Sequence, residues 1–326
     1  MRKNVLAFSC CALLSLMVMA QRSEYLLEKN WKFMKGEAPE AMKPEFDDRK
    51  WETVTVPHDW AIFGPFDRSN DLQEVAVTQN FEKKASVKTG RTGGLPYVGI
   101  GWYVFDGAMS EARVYVNGQE ACFWPFGYNS FHCDVTGLLN KDGKNNTLAV
   151  RLENKPQSSR WYPGAGLYRN VRVVSTDKVH VPVWGTQLTT PHVSDEYASV
   201  RLLTTIANDE ERDIRIVTEI ISPDGKVVAT KDNTRKINHG QPFEQNFLVN
   251  APCLWSPETP YLYKAVSKIY ADGKQTDEYT TRFGIRSIEI IADKGFFLNG
   301  KHRKFQGVCN HHDLGPLGAA INVAAL

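Results

Sequence analysis

The chain has 326 residues, with 39 Lys plus Arg against 37 Asp plus Glu and a formal net charge of +2. That near-neutral balance argues against electrostatic binding of nucleic acid. With 42% hydrophobic and 23% charged residues the chain is globular rather than disordered, and its length predicts about two domains.

Arg2 and Lys3 precede an apolar run over 5–20, and Val18-Met19-Ala20 sets small residues before a cleavage point after Ala20. This pattern predicts an export signal over 1–20 and a periplasmic or secreted location; the alternative is an uncleaved anchor. No later segment is apolar and long enough to span a membrane. Of the six cysteines, Cys10 and Cys11 leave with the signal, and Cys122, Cys133, Cys253 and Cys309 remain. Four in a chain this long are not a disulfide framework. Cys122 and Cys133 are placed to pair across a hairpin, but free buried thiols are the expectation.

Helical periodicity is nearly absent along the rest of the chain. Short alternating stretches punctuated by turn signals predict an all-β fold. Ala112, Val114 and Val116 alternate into the hairpin turn Asn117-Gly118, and Leu148, Val150 and Leu152 alternate again. A second block begins near Val179. In it Val200, Leu202, Thr204 and Ile206 alternate, as do Ile214, Ile216, Thr218 and Ile220. Pro223-Asp224-Gly225 and Asp272-Gly273 are turns, and about seven strands here suggest an immunoglobulin-like sandwich. Beyond Ile285, Phe296 to Leu298 run into Asn299-Gly300, with a return strand predicted over 304–308. Ile321, Ala324 and Ala325 then stand at helical spacing.

Three stretches carry candidate chemistry. In Cys309-Asn310-His311-His312-Asp313, adjacent strand residues face opposite ways, so they do not all converge on one metal while extended, and no distant ligand pair has zinc spacing. A His satisfying the core is a second reading. The preferred one has imidazole and carboxylate hydrogen-bonding hydroxyls at a strand end. In Pro57-His58-Asp59-Trp60, Asp59 could accept from a hydroxyl while Trp60 stacks on a sugar; alternatively Asp59 caps a turn and Trp60 fills the core. The loop from Arg160 to Arg169 (RWYPGAGLYR) is rich in aromatics and glycine. It suits carbohydrate through rings with polar tips, or forms a packed corner. Gly164 and Gly166 precede neither Lys nor Ser/Thr and no helix pattern, so they are not a phosphate loop. No Gly-x-Ser-x-Gly elbow occurs, and no motif specifies a cofactor.

Together, Val56-Pro57-His58-Asp59-Trp60, Gly99-Ile100-Gly101-Trp102-Tyr103, Phe105-Asp106-Gly107, Val114-Tyr115-Val116-Asn117-Gly118, Gly127-Tyr128-Asn129-Ser130-Phe131, the loop from Arg160, Leu254-Trp255-Ser256-Pro257, Phe297-Leu298-Asn299-Gly300-Lys301 and His311-His312-Asp313 resemble, in that order, the N-terminal half of a family 2 glycoside hydrolase of the β-galactosidase type. β-Glucuronidases and β-mannosidases share this architecture. The resemblance implies a jelly-roll sugar-binding domain over 21–177, an immunoglobulin-like sandwich over 178–285 and the start of a catalytic (β/α)₈ barrel over 286–326. It places His311 and Asp313 near the bound sugar and Trp161 where the first domain reaches the active-site mouth. With Asp59 these are the candidate substrate-binding residues. Ser159 falls near a family acidic ligand but is not acidic, so that role is not carried over.

The implied catalytic glutamates lie on later barrel strands, so no catalytic residue and no metal ligand is assigned within this chain. A barrel takes roughly 250 residues, more than follow residue 285. The pattern also departs from the family at 103–104, where Tyr103 leads at once to Val104 and Phe105 and a strand pair's worth of sequence is missing. The expectation is a portion of an exported retaining glycosidase, inactive alone, with a carbohydrate substrate as partner and compatible with a homo-oligomer in full-length form. A carbohydrate-binding module without chemistry is the rival reading, and a purely structural unit a third.

Overall fold

The computed structural model describes residues 22–64, 72–79, 83–92, 99–101, 105–140, 145–155, 161–238 and 240–325, with backbone pairing alone over 72–101. The expected export signal, the junction at 103–104 and Ser159 lie outside the described residues. The fold is all-β: twenty-two strands are described, and the helical elements among the described residues are three single 3₁₀ turns. None is long and apolar enough to cross a membrane.

Two compact units divide the chain. One comprises Glu24–Val174 with Gln306–Leu326; the other comprises Ser175–Phe305 together with Arg22 and Ser23. The residues after 285 are thus shared between the units.

The first unit is built on a four-stranded antiparallel sheet in the order Gly99–Gly101, Leu148–Asn154, Ala112–Val116, Gln119–Trp124. Alternation puts Ala112, Val114, Val150 and Leu152 on one face, at 0–1% exposure. There they pack with Phe33, Val56, Trp60, Leu167 and Val171. Asn117 and Gly118 both adopt positive φ, 50° and 84°, as a two-residue hairpin on a right-twisted pair requires. Cys122 and Cys133, both packed against this core, are joined as a disulfide with Cα atoms 5.9 Å apart. That separation is ordinary for the bond and corrects the expectation of free buried thiols. Cys253 and Cys309 are free but exposed.

The main body of the second unit, from 186 to 283, is a seven-stranded, two-sheet assembly. Thr186–Val193, Tyr197–Thr205 and Pro242–Asn250 form one sheet; Val227–Ile237, Arg212–Ile221, Tyr263–Ala271 and Lys274–Phe283 form the other. Inward residues from both sheets meet in shared apolar clusters. A buried polar layer crosses the core near its middle. The Thr218 hydroxyl donates to Gln245 Oε1 of the facing sheet at 2.7 Å and lies 2.8 Å from Ser267 Oγ. Gln245 Nε2 in turn donates to Asn233 Oδ1 at 3.0 Å. Each group has a partner, as a buried polar layer must.

At the start of the described chain, Arg22 belongs to this unit. Its Nε and Nη2 donate to the two oxygens of Asp277 at 3.0 and 3.1 Å, Nη2 also reaches the Val181 carbonyl, and the guanidinium lies over the Tyr279 ring. Asp277 is wholly buried and also accepts from the Val181 and Glu278 amides at 2.8 and 2.9 Å.

After Ile285 a three-stranded meander runs through Ile288–Ile291, Gly295–Leu298 and Lys301–Arg303. The turn at Asn299-Gly300 is as expected, with φ of 51° and 71°. The return strand is Lys301–Arg303, not 304–308, because the hairpin pairs Leu298 directly with Lys301. Residues 304–314 form no strand or helix. The helix expected beyond Ala319 is replaced by a turn at 323–325. In this segment Ala319 N–H is bound by Asp59 and Ile321 N–H by the Tyr168 carbonyl at 2.9 Å.

Removing one partner of a buried ion pair leaves the other charge uncompensated. Asp277→Ala strands Arg22 and two amides, and should cost the second unit about 3–5 kcal/mol in urea unfolding. A loss below about 1 kcal/mol, the range of exposed ion pairs, would contradict this reading.

Candidate functional site

The candidate residues gather in the first unit, around a buried carboxylate. Asp59 follows Pro57-His58 and is 2% exposed. Its Oδ1 accepts from the amides of Ala61 at 3.1 Å and Ala165 at 2.9 Å. Its Oδ2 accepts from the Tyr162 hydroxyl at 2.6 Å and the Ala319 amide at 2.7 Å. A carboxylate offers about four acceptor sites, so none is left for a sugar hydroxyl. This corrects the substrate-binding reading of Asp59. Trp60 is likewise buried, at 1% exposure, stacked on Phe33 with centroids 6.0 Å apart.

Burial pushes the Asp59 carboxyl up, while the hydrogen bonds from Tyr162, Ala319, Ala165 and Ala61 pull against it. Burial, and then the charge of Asp59, push the Tyr162 phenol far above its usual range. Tyr162 is therefore a hydrogen-bond donor throughout the physiological range.

The glycines of the loop explain how two remote segments reach one carboxylate. Gly164 has φ +74°, and a Cβ there would sit 2.4 Å from the Ala319 Cβ and 3.0 Å from Asp59 Oδ2. Gly318 has φ +58°, and its Cβ would lie 2.4 Å from the same Oδ2. Only a residue without Cβ permits these approaches in this backbone region. Gly164 of the loop and Gly318 thus serve packing around a carboxylate.

Outside this buried layer lies an aromatic face. Trp161 is 39% exposed; its indole N–H donates to the Tyr128 hydroxyl at 3.1 Å. Its ring centroid is 5.8 Å from exposed His311 and 6.4 Å from Tyr128. Phe126, 52% exposed, continues the face 5.5 Å beyond Tyr128. His312 turns the other way. It is half-buried, with Nε2 3.1 Å from the Pro163 carbonyl and its ring against Tyr128 and Tyr168, both at 5.6 Å. Behind it the Tyr168 hydroxyl donates to the Gly127 carbonyl at 2.6 Å. Asp313 is exposed, and its charge reaches the Tyr162 hydroxyl.

The structure therefore brings Trp161, His311 and Asp313 into one neighbourhood and places Asp59 beneath it. His312, Tyr162 and Tyr168 come from stretches the sequence marks as candidates, though without an assigned role, and Tyr128 comes from outside those stretches. Among the described residues, no three His, Cys, Asp or Glu side chains are grouped to hold a metal ion.

A family model, glycosyl hydrolases family 2, matches residues 181–286. A beta-galactosidase of Bacteroides ovatus is 36% identical over 97% of this chain and 37% of its own length. A beta-glucuronidase of Bacteroides fragilis is 27% identical over 98% of this chain and 46% of its own. Among solved structures, a glycosyl hydrolase family 2 member from Bacteroides cellulosilyticus aligns with TM-score 0.80 and 32% identity, covering 91% of this chain and 40% of that one. The chain spans less than half the length of each of these relatives.

One titration is set by the walls of this unit. His58 lies between Phe33 and Phe63, at 5.3 and 6.1 Å, and burial, aided by the charge of Lys35, pushes it down from 6.5 to about 4. The unfolded chain takes up this proton below about pH 6.5, whereas the folded ring stays neutral until about pH 4. Stability carried by neutral His58 is thus complete above about pH 6.5 and is lost as pH falls toward 4. Urea unfolding of the wild type should lose roughly 2–3 kcal/mol over that interval, and His58→Gln should lose less. An equal acid loss in the variant would refute the assignment.

Proposed function

We propose, for a chain that belongs to glycosyl hydrolases family 2, that Trp161, His311 and Asp313 form a sugar-recognition surface of an exported, retaining β-glycosidase. The observation that carries this reading is the exposed indole of Trp161 beside exposed His311, with Trp60 of the same unit sealed in the core. A ring face packs the C–H surface of a pyranose, while imidazole and carboxylate hydrogen-bond its hydroxyls. As the ring flattens toward the transition state, such hydroxyl contacts strengthen and lower the barrier.

On this reading the first unit is the jelly-roll sugar-binding domain and the strands from 186 to 283 are the immunoglobulin-like sandwich. The residues after 285 lead toward the catalytic barrel. Retention needs two carboxyl groups about 5–5.5 Å apart, one to protonate the leaving oxygen and one to attack. Asp59 is unsuited to either role, because protein donors occupy both of its oxygens. The recognition surface therefore binds without cleaving, and the acid and nucleophile belong to the barrel of the whole enzyme. A β-galactoside is the favoured ligand, in line with the beta-galactosidase of Bacteroides ovatus among its relatives.

The chain is expected to bind methyl β-galactoside in calorimetry, with Trp161→Ala weakening binding about tenfold, the worth of one aromatic contact. It is expected to release no aglycone from an aryl β-galactoside. Enzyme-like turnover by the purified chain would sink the division of labour, and unchanged affinity in Trp161→Ala would remove Trp161 from the surface. Binding without turnover in a full-length form as well would favour the non-catalytic binding module.

A further inference from the structure

We infer that Asp59 is a positioning residue, whose single oxygen Oδ2 holds the Trp161 wall and the His311–Asp313 segment in register. The inference rests on the recognition reading above. Oδ2 receives Tyr162, the neighbour of Trp161, and Ala319, six residues beyond Asp313. Neither segment is held by a strand at that point: Trp161 to Ala165 and 304–314 lie outside the sheets. Besides the Ala319 contact, the hydrogen bonds joining 306–325 to the rest of its unit among the described residues run from His312 to the Pro163 carbonyl and from the Ile321 amide to the Tyr168 carbonyl. Pro163 lies in the stretch that Tyr162 and Ala165 pin to Asp59, whereas Tyr168 follows Gly166–Leu167, a strand paired with Ala108–Met109. The carboxylate therefore takes the Ala319 tie directly and underlies the His312 tie through the stretch it pins, while the Ile321 tie rests on the strand before Tyr168.

Chemistry makes the role separable from bulk stability. Asn has the same shape but one acceptor oxygen and one NH₂ group. Set against Ala61 and Ala165, that NH₂ would face two backbone donors, neither of which can accept. Set on the other side, it meets the Tyr162 hydroxyl, which can turn and accept, and the Ala319 N–H, which cannot. The second arrangement costs less. Asp59→Asn thus releases Ala319, and with it the His311 segment, while Tyr162 keeps a partner. Tyr162→Phe does the opposite: it frees the Trp161 side and leaves Ala319 bonded to Oδ2.

The test compares the full chain with its Asp59→Asn and Tyr162→Phe variants by amide hydrogen exchange and by calorimetry with methyl β-galactoside. Asp59→Asn is expected to speed exchange at Ala319 about tenfold or more, to leave Ile216 and Val200 of the second unit unchanged, and to weaken sugar binding about tenfold. Tyr162→Phe is expected to weaken binding with Ala319 still protected. Should Asp59→Asn fail to fold, Gly318→Ala tests the same oxygen without changing charge, since its methyl would crowd Oδ2. Ala319 protected in Asp59→Asn as in the wild type, or wild-type sugar affinity despite a released Ala319, overturns the positioning role. A wild-type chain that binds no sugar overturns the recognition reading instead, and the exchange comparison still decides whether Asp59 holds Ala319.

Discussion

Burying a carboxylate is costly unless its oxygens are filled, and the first unit is arranged around meeting that condition at Asp59. The amide of Ala61 two residues on, the Tyr162 hydroxyl and the Ala165 amide from the aromatic loop, and the Ala319 amide 260 residues along the chain supply the donors. Much else follows from it. Gly164 and Gly318 must lack side chains so that the donors come close. The Ala319 amide is drawn to Asp59, which ties the last described segment to the rest of its unit. The aromatic residues next to these donors, Trp161 and Tyr162, are divided: one is turned outward and the other inward.

The second unit meets the same constraint differently. Asp277 is buried as completely, but it takes a guanidinium rather than a hydroxyl as its principal partner. A bidentate Arg offers geometric definition as well as charge. The partner, Arg22, lies just past the expected export signal. Between the sheets, the Thr218–Gln245–Ser267 layer separates two apolar clusters and fixes which rows face each other. In both units, fully satisfied polar groups set register, and apolar burial supplies the bulk of the stability.

The strands were readable from sequence because a period of two is a local signal. Val200, Leu202 and Thr204, or Ile214 to Ile220, declare their buried face within a few residues. So do Asn117-Gly118, Asp272-Gly273 and Asn299-Gly300, whose positive φ values need those residue types. The ordered motifs likewise pointed to the family. What local patterning does not carry is the identity of distant partners. Asp59 in a turn looks alike whether it faces a sugar or three remote donors. Ile321, Ala324 and Ala325 keep helical spacing, yet the segment forms only a turn at 323–325. Cys122 and Cys133 pair because Cys133 returns to the core beside its partner, a fact of chain path rather than composition. Tyr128 joins the exposed face from a motif with no periodicity to mark it.

On the proposed reading, sugar recognition belongs to the outer aromatic face and not to the buried Asp59–Trp60 turn beneath it. The most direct measurement is a ¹H–¹⁵N chemical-shift titration of the two indole N–H groups and the His311 ring with methyl β-galactoside. Trp161 and His311 are expected to shift saturably together while the Trp60 indole stays in place. Saturable movement of Trp60 with Trp161 and His311 unmoved would contradict it.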